Sequence, residues 1–128
     1  MAGTEITLSE LRGTPVVLTF WAIYCSYCRS ELPYFDEVAK QSAGEVAIIM
    51  VNTQDTRSGI EKFFGDYKAH FTVALGGGTQ VSYKYNVHAI PTTFFIDSGG
   101  IIRSIKVGSF RNETELRDSI KTIHGPTP

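Results

Sequence analysis

The sequence predicts an α/β fold in which helices pack on a mixed central sheet, and three patterns carry that expectation. Val16-Val17-Leu18-Thr19-Phe20-Trp21 and Val46-Ala47-Ile48-Ile49-Met50-Val51 are apolar at nearly every position and bracket an amphipathic segment. Such runs suit strands covered on both faces, as in parallel sheets. Further on, Thr92-Thr93-Phe94-Phe95-Ile96 and a second apolar run flank Asp97-Ser98-Gly99-Gly100. Four turn formers between two such runs suit a β-hairpin, so the sheet should end antiparallel. A helix with a capping signal closes the chain, and the alternation gives an α/β sandwich.

The elements follow in order. Residues 5–11 mix polar side chains with Ile6 and Leu8, and Arg12-Gly13-Thr14-Pro15 reads as a turn into the first strand. From Ser26 to about Ser42, Leu32, Phe35, Val38 and Ala39 recur at helical spacing, with Pro33 expected to kink the helix and Gly44 to close it. Ile60, Phe63, Phe64 and Tyr67 give a second helical face, residues 71–75 a short strand, and residues 81–85 a helical turn after Gly76-Gly77-Gly78. Residues 101–107 complete the hairpin. Asn112, with Glu115 three positions later, begins a last helix carrying Leu116, Ile120 and Ile123, which Gly125 should stop.

At 128 residues and 42% hydrophobic, the chain suits one domain, residues 1–128, with a core that needs no disulfide framework. Its 12 Lys and Arg against 13 Asp and Glu leave a net charge of −1, which argues against nucleic acid or an anionic membrane as partner. No run is long and apolar enough to span a bilayer, and Met1-Ala2-Gly3 is too short for the charged head of a secretory signal, which leaves open a remnant where a leader or anchor was removed.

The only two cysteines, Cys25 and Cys28, lie just past the first strand. Cys25 is expected at the first turn of the helix, where free N–H groups and the dipole favour a thiolate. Cys28, one turn deeper on the same side, can close a disulfide with it. That asymmetry suggests that Cys25 exchanges with a partner's disulfide and Cys28 resolves the mixed disulfide. The rival is a metal site. Structural zinc wants four ligands, and His70, His88 and His124 are scattered at no ligand spacing, so no metal is expected. His88 is the histidine whose loop could face the cysteines.

These residues resemble the thioredoxin-like superfamily, and within it the extracytoplasmic thiol-disulfide oxidoreductases of the TlpA and ResA type. The match rests on Leu8-Ser9-Glu10-Leu11-Arg12-Gly13 before the strand, Phe20-Trp21-Ala22 running into Cys25-Ser26-Tyr27-Cys28, Glu31 with Pro33, and Ile90-Pro91-Thr92-Thr93-Phe94 before the hairpin. The resemblance implies a thioredoxin-like fold with an extra central strand and helix, and a redox-active Cys25–Cys28 disulfide as the only cofactor. It implies a cis proline at Pro91 packed against the cysteines, with Ile90 backbone groups open to an extended partner segment. Trp21, Tyr24 and Tyr27 would join Ile90 and Pro91 in binding substrate, although a plain core role fits Trp21 equally well. Glu31 would raise thiol pKa values and move protons during exchange.

The family's clients are disulfide-containing extracytoplasmic proteins, such as apocytochromes c in cytochrome c maturation. The resemblance implies a membrane thiol carrier as electron donor and a place in the periplasm or on the outer face of the cytoplasmic membrane, and a monomer is expected. Three positions depart from thioredoxin itself. Thr19 replaces a buried aspartate, Tyr24 stands where tryptophan is usual, and Ser26-Tyr27 replaces glycine and proline. Relatives span about −270 to −120 mV, and this dipeptide does not fix a place on that scale. An oxidase or isomerase, or a binding module that holds copper or a partner, stays open beside the reductase.

Overall fold

The structure, a computed structural model, describes residues 11–42, 44–75 and 83–123. Its strands are β1 (Val16–Trp21), β2 (Ala47–Asn52), β3 (Thr72–Leu75), β4 (Thr92–Ile96) and β5 (Ile102–Val107). Its helices are α1 (Ser26–Ser42), α2 (Arg57–Phe64) and α3 (Glu113–Ile120). The sheet order is β3-β2-β1-β4-β5. β2 runs parallel to β1 and to β3, whereas β4 runs antiparallel to both β1 and β5. The mixed sheet read from the two kinds of apolar run is therefore present.

All six residues of β1 are buried, because the central strand is covered on both faces. Val17 and Trp21 join Phe35 and Val38 of α1, Ile60 of α2, and Leu116 and Ile120 of α3 in one core cluster. Val16, Leu18 and Phe20 face the other way, with Ile49, Phe94 and Tyr85. Thr19 points into the first layer and shares a 3.1 Å hydrogen bond with Thr93, its register partner on β4. Where thioredoxin buries a carboxylate, this chain buries a pair of hydroxyls.

Several boundaries differ from the sequence reading. α2 ends at Phe64 because Gly65 turns the chain at φ 55°, so Tyr67 lies past the helix and stacks on Phe64 from a turn. The expected strands over 71–75 and 101–107 each begin one residue later, at Thr72 and Ile102. α3 ends at Ile120. Thr122 N–H and Ile123 N–H then bond three residues back, to Ser119 and Ile120 carbonyls, and this tighter turn carries Ile123 into the core. α1 runs unbroken through Pro33, where the ring leaves the Arg29 carbonyl without its helical donor. The segment 5–10, the Gly76-Gly77-Gly78 loop, residues 81 and 82, His124 and Gly125 lie outside the described residues.

The hairpin forms as its turn residues require. Asp97 Oδ1 accepts the N–H groups of Gly99 and Ile101 at 2.9 and 3.0 Å, and Gly100 adopts φ 85°. Asn112 caps α3 by accepting Glu115 N–H at 2.9 Å, and Glu115 Oε1 accepts the N–H of Arg111. The pairing Phe20↔Thr92 sets the carboxyl end of β1 beside the amino end of β4. The segment leaving β1 therefore meets the segment entering β4.

Candidate active site

The chain leaves β1 at Trp21, turns through Ala22, Ile23 and Tyr24, and enters α1 at Ser26. Cys25 stands one residue before the helix, not within its first turn as expected, and acts as its cap. Its carbonyl accepts Arg29 N–H at 3.0 Å, while its Sγ accepts Cys28 N–H at 3.1 Å. The sulfur thus takes the place that a serine or aspartate oxygen usually fills, facing the unpaired N–H end of α1. That geometry supports a negative sulfur.

The two thiols are free and unequal. Cys25 is 8% exposed and Cys28 1%. Burial pushes the Cys28 thiol far above its ordinary range, the hydrogen bond with Cys25 adds to the rise, and the charge of Glu31 adds a little more.

Glu31 lies one turn beyond Cys28 and is only 1% exposed. Its Oε2 accepts Phe110 N–H at 2.5 Å, while Oε1 is buried with no hydrogen-bond partner among the described residues. Burial raises its pKa to about 7, against the opposing pull of the Phe110 N–H and the Lys106 charge. A carboxyl with one satisfied and one vacant oxygen, titrating near neutrality, can take or give a proton at ordinary pH.

The Ile90–Pro91 peptide is cis. Its loop is held by Gly108 N–H on the Pro91 carbonyl at 2.8 Å and by the Thr92 hydroxyl on the Ala89 carbonyl at 2.6 Å. The Cys25 thiol points at the Ile90 carbonyl, 3.9 Å away. Tyr24 and Tyr27 are exposed beside Cys25, so both can meet a partner.

Trp21 cannot. It has no exposed surface and lies under the cysteines, its ring 5.9 Å from Phe63 and 5.8 Å from Phe64. Of the two roles the sequence allowed it, substrate contact fails for want of surface, and the core role holds. His88 is exposed and bonds Asn86 Oδ1 at 2.8 Å, and His70 bonds Asp36. Among the described residues, no three His, Cys, Asp or Glu side chains converge on a metal-sized site.

Sequence reasoning missed the support beneath the turn. Asp55 Oδ2 accepts Ile23 N–H at 2.8 Å and the Asn52 amide at 2.9 Å, while Asn52 Oδ1 accepts the N–H groups of Gln54 and Asp55. Arg29 donates to the Ile23 carbonyl. Asn52 followed by Asp55 at the end of an apolar strand is an Asx-turn signal that could have been read. Phe110 as the anchor of Glu31 had no such signal, since 79 residues separate them.

A Redoxin family model matches residues 1–120. The chain belongs to the Redoxin family. Thiol-disulfide oxidoreductase ResA of Geobacillus kaustophilus is 35% identical over 127 residues, covering 94% of this chain and 71% of that protein. ResA of Bacillus subtilis is 32% identical over 122 residues, covering 94% of this chain and 68% of that protein. Among solved structures, the Chlorobium tepidum protein described as thiol:disulfide interchange protein DsbE superposes with a TM-score of 0.84 at 31% identity, covering 94% of this chain and 86% of its own. StoA of Bacillus subtilis gives 0.74 at 25%, covering 84% and 83%. This Redoxin chain is therefore a thioredoxin-like thiol-disulfide oxidoreductase of the TlpA and ResA type, and its substrates contain disulfides.

Proposed function

We propose that this protein reduces disulfides in extracytoplasmic client proteins, with Cys25 and Cys28 as the redox pair. The observation that carries the reading is the asymmetry of the pair. Cys25 Sγ sits on a helix N-terminus and keeps some exposure, while Cys28 is buried and held as a thiol. Cys25 thiolate attacks one sulfur of the client disulfide, forming a mixed disulfide and releasing the other sulfur as thiolate. Cys28 then gives its proton to Glu31 and attacks Cys25 Sγ, which breaks the mixed disulfide and frees the second client thiolate. Two electrons pass to the client, and the Cys25–Cys28 disulfide is the product on the enzyme.

Glu31 suits that proton because a base works best when its pKa lies near the working pH. The Ile90 carbonyl and the exposed rings of Tyr24 and Tyr27 frame Cys25, and an extended client segment would pair along Ile90 and Pro91. The resemblance favours apocytochromes c as clients, a membrane thiol carrier as electron source, and a monomeric single-domain protein that needs no cofactor beyond the cysteine pair. For location, the likeness to a pneumococcal exposed lipoprotein thioredoxin, at 25% identity and TM-score 0.78, supports the outer side of the membrane. Among the described residues, no helix is long and apolar enough to cross a bilayer.

The test is equilibration in thiol/disulfide buffers of graded potential, with free thiols counted by alkylation and intact mass. One reversible two-electron transition near or below about −220 mV is expected of a reductase. A transition well above that makes the protein an oxidant or isomerase, and none at all removes the redox reading.

A further inference from the structure

The turn that delivers Cys25 is held at each of its peptides. Thr53 N–H donates to the Trp21 carbonyl at 3.0 Å, and Cys25 N–H closes the turn on the Ala22 carbonyl at 3.1 Å. The two peptides that flank the Ile23 Cα are gripped by side chains of opposite charge. Asp55 Oδ2 accepts the N–H of one at 2.8 Å, and Arg29 Nη1 donates to the carbonyl of the other. These holders come from different elements. Asp55 lies in the turn after β2 and is braced by the Asn52 amide at 2.9 Å. Arg29 is on α1, one helical turn past Cys25, whose carbonyl its own N–H engages at 3.0 Å.

We propose that Arg29 and Asp55 act together as positioning residues that aim Cys25 for exchange, each through the Ile23 backbone. The inference rests on the roles given above to Cys25 as attacking sulfur and Cys28 as resolving sulfur. With both of its peptides fixed, Ile23 has little torsional freedom left, and Cys25 Sγ stays between the Cys28 N–H at 3.1 Å and the Ile90 carbonyl at 3.9 Å. A sulfur aimed in this way needs less ordering when the Cys28 thiolate attacks it, which forms the Cys25–Cys28 bond, breaks the bond to the partner sulfur and releases that sulfur as thiolate. In the closed ring the turn is constrained by the disulfide itself, so the clamp forms there at less entropic cost than in the open dithiol. The clamp therefore favours the disulfide form of the protein, which is the product expected of a reductase.

The test equilibrates the protein with mixtures of reduced and oxidised glutathione and reads the Cys25–Cys28 potential by alkylation and intact mass. Arg29→Met and Asp55→Ala should each lower the equilibrium constant for ring closure about tenfold, which is about 30 mV toward the oxidising side. The double variant should move little further, because a turn already freed at one peptide loses little at the other. Asp55→Asn keeps an acceptor oxygen and should return close to wild type. Charge acting directly on the sulfur predicts another pattern: removing the cation disfavours the thiolate and lowers the potential, while removing the anion raises it. Shifts of opposite sign overturn the inference, as do additive shifts or none. A general loss of stability weakens both redox forms alike and leaves the potential in place. Arg29 is exposed, so Arg29→Met should fold, and the direction of its shift decides the matter even if Asp55→Ala does not fold. Failure of the underlying roles looks different. If Cys28→Ser forms no mixed disulfide with glutathione at Cys25, Cys25 is not the attacking sulfur, whatever the clamp variants do.

Discussion

Cys25 and Cys28 are the same residue type three positions apart, and their surroundings alone give them different chemistry. The N–H of Cys28 points at Cys25 Sγ, while burial holds the proton on Cys28 Sγ against the opposing pull of a backbone hydrogen bond at Ala22. Replacing the resolving thiol, Cys28→Ser, should leave Cys25 able to attack and unable to let go. Mixed disulfides with clients then accumulate, and turnover falls on the order of a thousandfold, because an oriented intramolecular thiol is exchanged for dilute free thiols. Intact mass after quenching with acid checks this, and a variant that turns over normally without trapped adducts would contradict the assignment. The unequal setting of the two thiols was legible in the sequence, since a CxxC behind an apolar strand places the second cysteine one turn deeper than the first. The identity of the sulfur as helix cap was not, because the helix begins one residue later than its pattern suggests, which turns Cys25 Sγ onto the Cys28 N–H.

At the scale of elements, the meeting of β1 and β4 places the cysteines against the Pro91 loop, and two polar devices hold that meeting in register. One is the Thr19 and Thr93 hydroxyl pair within the sheet. Thr93→Val leaves a buried hydroxyl unpaired and should cost about 1–3 kcal/mol in urea unfolding, whereas the double change Thr19→Val with Thr93→Val should cost clearly less than the sum of the singles. The other device is Asp55, which grips the Ile23 N–H under the active-site turn. Asp55→Ala loses two charge-assisted bonds, one of them to the Asn52 amide. It should destabilise by about 2 kcal/mol and speed hydrogen exchange at the Ile23 amide, since a carboxylate is a stronger acceptor than the water that replaces it. Strands, hairpin and α1 could be read from periodicity because each is a local pattern. Helix ends were misplaced where one conformational choice decides them, at the Gly65 cap and in the tightened turn after Ile120. Contacts between distant elements, such as Phe110 on Glu31, lie beyond what a linear pattern can show.

For the whole molecule, the buried Glu31 ties stability to pH with a sign that can be worked out. Its folded pKa, about 7, lies above the ordinary 4.5, so between those values the folded chain keeps a proton that the unfolded chain has lost. Stability from this group is therefore whole below about pH 4.5, falls as pH rises toward 7, and is flat beyond. The drop is on the order of 3 kcal/mol, from the roughly 1.4 kcal/mol carried by each pKa unit. Asp36, Asp97 and Glu115 have lowered pKa values and work the other way, losing stability as pH falls through their folded values. Their contributions are common to wild type and Glu31→Gln and cancel when the two are compared. Urea unfolding of both proteins across pH 4 to 8 should show the variant gaining on the wild type by about 3 kcal/mol through that window. A difference that stays constant with pH would mean that the carboxyl is ionised in the folded protein throughout, and a carboxylate of ordinary pKa is too weak a base near pH 7 to take the Cys28 proton as proposed.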